Sequence, residues 1–293
     1  MDELDVKKKF TDIYTQNSPY EYLNEMRNLR YRIPDATKPF YKSLVEQLYQ
    51  KLNRPINILD LGSSYGINSA LLTFDLTMSD LDNFFLKNEK PPTIKQAKQF
   101  FAQQPHRNSK LNFYNIDISA QALKFSEEAG LCKGSLCVNL ENDNPNMPEE
   151  FFPIDLVIAT GCVGYIGYRS FGRLFEILNE YQAKVESTQR SPRITPIFAF
   201  SILRIFPIDK ITRAFDYYGL TLKKSEMEPI CQRRFVNEDE MQQTISLLQD
   251  SGIATSNLEE MGSFFADFYV GCPIEKKQEL SLIVKQLERK LGT

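Results

Sequence analysis

The residues best equipped for chemistry in this chain lie close together: Asp60, Gly62, Ser63, Ser64, Tyr65 and Gly66. They follow "INILDL", a short apolar run that reads as a buried strand, and precede Ile67 to Leu72, which reads as the first turns of a helix. Small residues at 62 to 64 let the backbone approach a ligand, and Gly66 allows tight passage into the helix. One residue before the loop, the Asp60 carboxylate can orient it or reach a bound cation. The same stretch also spells G-x-S-x-G, the turn that raises a hydrolase serine. That elbow normally comes after several strands and is followed by an acid and then a histidine. Here the only histidine, His106, follows Ser64 too soon for a sheet to be completed, with Asp75, Asp80 and Asp82 between them. A cofactor cradle explains more of these residues than a nucleophile does.

A second acid, Asp117, ends the alternating stretch "LNFYNIDIS". A carboxylate there would accept two hydrogen bonds from a ribose diol, although the dinucleotide pattern places its acid ~20 residues beyond the loop. Asp117 therefore requires an insertion, read over 77–110. The competing assignment makes "LTFDLTM" the second strand and Asp82 the ribose ligand. Asp117 is preferred because its strand leads directly into the helix "AQALKFSEEAGL". A nicotinamide dinucleotide fits less well, since the first loop lacks G-x-G-x-x-G.

With these motifs in order, the chain resembles the class I S-adenosylmethionine-dependent methyltransferases. Their first motif is an acid, one residue, then Gly-x-Gly/Ser-x-Gly, matched by Asp60 to Gly66. The resemblance implies that this loop, with Tyr65 and Asn68, holds the methionine part of S-adenosyl-L-methionine. It also implies that Asp117 and Ile118 hold the ribose and that Asn139, Leu140 and Glu141 hold the adenine. "IDLVIATGCVGYIG" is similar to the family's fourth motif, which puts Thr160 and Gly161 beside the transferred methyl group; the product would be S-adenosyl-L-homocysteine, and no metal is implied. "SYGIN", "GYIG" and "QRRF" are similar to a bacterial branch of the family. Two departures are visible: Ser64 replaces the middle glycine, and Asn139 stands where an aspartate is common.

Methyl transfer from a sulfonium is an in-line displacement that needs alignment more than a dedicated base. A carboxylate, amine or phenol of a small molecule or peptide, possessing its own nucleophilicity, is the economical acceptor. Tyr165 is the best polar candidate near the methyl group, as a catalytic residue or as a closing side chain of the loop between Gly164 and Gly167. Aromatic walls and cations for the acceptor are expected from Tyr20, Tyr22, Arg30, Tyr31, Arg233, Arg234 and Phe235. The arginines would suit an anionic substrate; alternatively they pair with Glu238 and Asp239. A non-catalytic cofactor-binding module, acting as a partner or sensor, is the second functional reading, motivated by the scarcity of bases.

The elements that must position these groups read as alternating strands and helices, hence an α/β fold with a doubly wound, mostly parallel, Rossmann-like sheet. Helical periodicity at Tyr22, Met26 and Leu29, and at Tyr41, Val45, Leu48 and Leu52, predicts an N-terminal helical extension over 1–54. The core is expected over 55–272, with insertions at 77–110 and 206–236 joining the extension as a lid. Asn237 and Glu240 resemble a capping box opening a helix. Over 273–293, Leu280, Ile283, Val284, Leu287 and Leu291 predict a terminal amphipathic helix that seals the fold or forms a homodimer contact. With 35 Lys plus Arg against 38 Asp plus Glu, a net charge of −3, nothing pulls toward nucleic acid. No apolar run approaches a membrane span or a signal peptide, so a cytoplasmic protein is expected. The five cysteines contain no C-x-x-C pair and read as reduced thiols rather than a disulfide or zinc framework.

Overall fold

The structure is a computed structural model, and it describes residues 11–188 and 195–291. Residues 1–10 of the expected N-terminal extension lie outside the described residues. The chain begins with α1 (Tyr20–Asn28) and α2 (Ile33–Leu52), then β1 (Ile56–Leu61), α3 (Ile67–Phe74), α4 (Met78–Phe85) and α5 (Ile94–Ala102). There follow β2 (Leu111–Asp117), α6 (Ala120–Glu128), β3 (Gly134–Cys137), β4 (Leu156–Val163), α7 (Tyr168–Thr188) and β5 (Ile197–Leu203). The last third holds α8 (Asp209–Tyr217), β6 (Leu220–Lys224), β7 (Ile230–Arg234), α9 (Glu238–Asp250), β8 (Ser263–Pro273) and α10 (Lys277–Leu291).

The strands form one sheet in the order β3-β2-β1-β4-β5-β8-β6, with β7 also paired to β8. Strands β1 to β5 are parallel, whereas β8 runs antiparallel to β5, β6 and β7. The order reverses between β1 and β4, which opens a crevice beyond their carboxyl ends. This is the doubly wound, mostly parallel α/β arrangement that the alternation of elements predicts.

Strand side chains alternate between the two faces, and both faces are covered. Leu59 and Leu61 of β1, Val157 and Ala159 of β4, and Phe198 and Phe200 of β5 pack with Phe171, Leu174 and Phe175 of α7 and Phe215 of α8. The intervening residues Ile56, Ile58, Leu156, Ile158 and Ala199 pack with Tyr41, Leu44 and Leu48 of α2 and Val284 of α10. Helix α2 carries Pro34 in its first turn and continues through Pro39, where the lost N–H removes one helical hydrogen bond. The side chains of Leu280, Ile283, Leu287 and Leu291 lie outside what is described.

Two segments expected in the lid are placed as follows. The 77–110 segment, read as an insertion, holds α4 and α5, and the strand of the competing assignment, "LTFDLTM", does not form: Phe74 ends α3, Asp75 turns left-handed at φ 56° and Thr77 caps α4. Phe85, Ala97 and Phe101 are buried with Leu23 and Met26 of α1, so the segment supports α1 from behind. The 206–236 segment is largely sheet and core, because β6 and β7 pair with β8 and α8 buries Ile211 and Phe215. The second segment was hidden because β6 and β7 are short strands whose partner, β8, lies far along the chain. No helix among the described residues is long and apolar enough to cross a membrane.

Phe215 is fully buried, with ring centroids of Phe175, Phe198 and Phe171 at 4.9, 5.3 and 5.5 Å. Phe215→Ala is expected to lower stability by about 3–5 kcal/mol in urea denaturation, the scale for emptying an aromatic core position.

Candidate active site

A cavity of about 560 Å³ lies in the crevice where the strand order reverses. Its floor and one end come from the turns after the parallel strands: Gly62, Ser63, Ser64 and Asn68 after β1, Asp117 and Ile118 at the end of β2, and Asn139, Leu140 and Glu141 after β3. Thr160, Gly161, Cys162 and Tyr165 line it from β4 and the following turn. Tyr22 and Tyr31, with Gln232 and Arg233 of β7, line the other end.

Asp117 organises the first end. Its Oδ2 accepts the Ser64 backbone N–H at 2.8 Å, and its Oδ1 accepts the Ser119 N–H at 2.9 Å. Burial raises the carboxyl's pKa, while the N–H donors of Ser119, Ser64 and Ile118 pull it back down. Each carboxylate oxygen keeps a further lone pair for a ligand hydroxyl. Ser64 is itself left-handed at φ 50°, and the Ser63 and Ser64 hydroxyls are buried with no hydrogen-bond partner among the described residues. Gly62 must be glycine here: at φ +65° an added Cβ would stand 2.8 Å from the Cys162 sulfur.

Beneath the floor lies a buried polar chain. Asn68 Nδ2 donates to Asp60 Oδ1 and Oδ2 at 3.1 and 3.2 Å and to Thr160 Oγ1 at 3.2 Å, and the Thr160 and Tyr41 hydroxyls are 2.7 Å apart. Asp60 has no solvent exposure and does not reach the cavity. Burial pushes its pKa up to about 8, opposed by the Asn68 amide and reinforced by nearby Asp117. Asp60 therefore holds Asn68 in place as a largely protonated acid near neutral pH.

A break in the β4–β5 register between Ala159 and Val163 lets residues 160–162 depart from regular pairing, as bulges beside functional sites do. The Gly161 N–H donates to Ser201 Oγ at 3.3 Å, and the Tyr31 hydroxyl occupies the space a side chain at 161 would take. Glu141 works inside the protein: its Oε1 accepts the Gly167 N–H at 2.7 Å, the Ser170 N–H at 3.1 Å and the Ser170 hydroxyl at 2.6 Å. Asn139 Oδ1 accepts the Glu141 N–H at 3.0 Å, so this oxygen also stabilises its own turn.

Three expected cofactor residues stand behind the cavity wall instead of on it: Asp60, Tyr65 and Gly66. Tyr65 points toward the N-terminal segment. Its hydroxyl accepts the Gln16 N–H at 3.1 Å and donates to the Ile13 and Gln16 carbonyls at 2.8 and 3.0 Å. With Ser119 Oγ donating to the Tyr14 carbonyl, this brings Tyr14 and Thr15 onto the cavity wall.

Of the residues expected to hold the acceptor, Tyr20, Arg30, Arg234 and Phe235 do not line the cavity. Arg30 and Arg234 are exposed, and Phe235 packs on Phe264 with centroids 4.5 Å apart. Arg233 does reach the cavity, but it is 1 % exposed, and its Nη2 and Nη1 donate to Glu240 Oε1 and Oε2 at 2.7 and 2.9 Å. Glu240 thus forms only half of the expected capping box: its N–H donates to Asn237 Oδ1 at 2.9 Å while its carboxylate serves Arg233. Burial raises the Tyr165 pKa, with Arg233 opposing, so the phenol stays protonated and can orient a group but not take its proton at neutral pH. His106 is exposed in a loop and Asp82 sits on α4, both off the cavity, so neither a serine elbow nor the alternative ribose ligand is assembled.

Sequence reasoning missed Tyr14, Met26, Ser119, Cys162, Ser170 and Gln232, all of which line the cavity. Cys162 lies within "ATGCVGYIG" and Gln232 begins "QRRF", so both stood in segments already singled out; Tyr14 had no signal, because its position depends on the long-range bonds of Tyr65.

No protein-family model matches the chain, and no curated protein matches it significantly. Among solved structures, it is similar to a magnesium protoporphyrin IX methyltransferase from Synechocystis PCC 6803 with bound SAM, at 10 % identity over 79 % of this chain and 77 % of that one, TM-score 0.36. It is similar to the plantazolicin methyltransferase BamL, in complex with a triazolic desmethylPZN analog and SAH, at 10 % identity over 92 % and 95 % of the two chains, TM-score 0.42. A third is the bifunctional kinase-methyltransferase WbdD, at 11 % identity and TM-score 0.38, where the match covers 80 % of this chain and 38 % of that one.

Because the Asp60 pKa lies near 8 in the folded chain and about 4 in an unfolded one, the unfolded state releases this proton first. Stability contributed by the protonated form is full below pH about 4 and declines as pH rises toward 8. Asp60→Asn is expected to flatten that decline, seen as a smaller fall in Tm between pH 5 and 8 by calorimetry. Tyr65→Phe is expected to raise amide exchange at residues 13–16 with little change in the sheet, read by hydrogen–deuterium exchange.

Proposed function

We propose that this chain is an S-adenosyl-L-methionine-dependent methyltransferase acting on an oxygen or nitrogen of a small molecule or peptide. The observation that carries the reading is the Asp117 carboxylate, held by two backbone N–H groups in the wall of a cavity at the sheet's switch point. Beside it the unpartnered Ser63 and Ser64 hydroxyls and the glycine-tight backbone at residue 62 suit a polar, nucleoside-bearing ligand approaching closely.

In this reading Asp117 receives the ribose hydroxyls, Ser63, Ser64 and Asn68 receive the polar amino-acid end, and Leu140 and Val138 flank the base. When bound, the cofactor supplies an electrophilic methyl group on a sulfonium. The chain's own part is alignment and exclusion of water. Thr160 and Gly161, projected by the β4 irregularity, together with Tyr31 and Tyr165, position the acceptor. The proton released on methylation passes to solvent, since among the described residues the cavity wall carries no histidine and its tyrosine phenols remain protonated.

Asp117→Ala is expected to weaken binding of S-adenosyl-L-methionine and S-adenosyl-L-homocysteine by about 1–3 kcal/mol in isothermal calorimetry, the scale for losing hydrogen bonds to a charged group. Asp82→Ala is expected to leave the affinity unchanged. Equal affinities for the wild-type and Asp117→Ala chains would reject the assignment.

A further inference from the structure

Sheet order gives the cavity a direction. The nucleoside features lie over β1, β2 and β3, so the acceptor enters at the opposite end, over β4 and β7 and beneath the N-terminal helices. There the walls are aromatic: Tyr14, Tyr22 and Tyr31 face the cavity, with Tyr14 and Tyr22 ring centroids 5.6 Å apart. Burial holds the pKa of each of these phenols above its ordinary value. Among the described residues, Arg233 is the only cationic side chain on the wall. Its charge is matched by Glu240 in a bidentate pair buried with it, and its guanidinium stacks 4.7 Å over the Phe264 ring. A carboxylate or phosphate entering this end would lose its hydration with no uncommitted countercharge to replace it.

One polar group at this end has no hydrogen-bond partner among the described residues. Gln232, next to Arg233 on β7, is 1 % exposed and lines the cavity, and its side-chain oxygen makes no hydrogen bond to the described residues. A buried amide oxygen left alone is costly, so its position favours a ligand that donates to it. Resting on the methyl-transfer reading, we infer that the acceptor is an uncharged, flat, largely apolar compound whose N–H or O–H donates to Gln232, and that anionic acceptors are excluded. The glutamate of the Arg233–Glu240 pair is the element that rejects them, because without it the same site would present a bare guanidinium.

The test is affinity selection on the full chain saturated with S-adenosyl-L-homocysteine, read by mass spectrometry. The probes are matched aromatic fragments: each amide, phenol or arylamine beside the carboxylate of the same ring. The wild-type chain is expected to retain the neutral members at least tenfold over the carboxylates. Gln232→Leu is expected to lose that retention by tenfold or more, and Glu240→Gln to gain carboxylates. Preferential retention of carboxylates by the wild-type chain would overturn the inference. So would retention of neither class while S-adenosyl-L-homocysteine is held, or an unaltered selection in a Gln232→Leu chain that keeps its thermal transition. If Gln232→Leu does not fold, the wild-type and Glu240→Gln selections decide. Failure to hold S-adenosyl-L-homocysteine at all would strike the methyl-transfer reading first, so the two failures are told apart.

Discussion

The Asp117 carboxylate is the tie on which the cavity depends. Its two oxygens accept N–H groups from opposite sides, Ser64 of the glycine loop and Ser119 at the start of α6. Without such donors a carboxyl this deeply buried would be driven toward its neutral form. With them, the ends of β1 and β2 are locked in register and the left-handed turn at Ser64 has a compensating partner. The charge is thereby stabilised in the wall of the cavity, which Asp117 lines.

The second constraint is steric. The glycine loop and residues 160–162 approach so closely that Gly62 abuts Cys162, and Gly161 leaves room only for the Tyr31 hydroxyl. The irregularity in β4 makes this approach possible, and the Asp60–Asn68–Thr160–Tyr41 chain fixes its depth from below. Asp60 contributes from behind the wall: an acid kept largely protonated by burial can lie under the cavity without adding a full negative charge near Asp117.

What could be read from the sequence follows the range of the forces involved. The parallel half of the sheet, the glycine loop and Asp117 were legible because strand, turn and helix are adjacent in the chain and signalled by local residue types. The antiparallel addition was less so: β6 and β7 are five residues each and become strands only by pairing with β8. Tyr65 shows the same limit at one residue. Its place in the glycine loop suggested cofactor contact, but a phenol too large for the cramped side of the turn swings outward and finds the backbone of residues 13 and 16. Glu240 was recognisable as a helix-start residue, yet its carboxylate is diverted to Arg233, a choice that appears only once β7 and α9 are folded together.

These two classes of information map onto the two ends of the cavity. The end proposed for the nucleoside is built from strand-to-helix turns of the parallel sheet, where a few local residues determine the geometry. The end proposed for the acceptor is assembled from the N-terminal segment, α1, the start of α2 and β7, which meet through tertiary bonds such as the Arg32 N–H to the Gln232 carbonyl at 2.8 Å and the Arg234 N–H to the Leu29 carbonyl at 2.7 Å. Substitutions at Tyr14, Tyr22, Gln232 or Glu240 can therefore change the shape and polarity presented to an acceptor without touching Asp117 or the glycine loop. Because the contact between the two halves runs through Tyr31 against Gly161 and Tyr65 against residues 13–16, those contacts set how far the acceptor end can vary before it stops facing the nucleoside end.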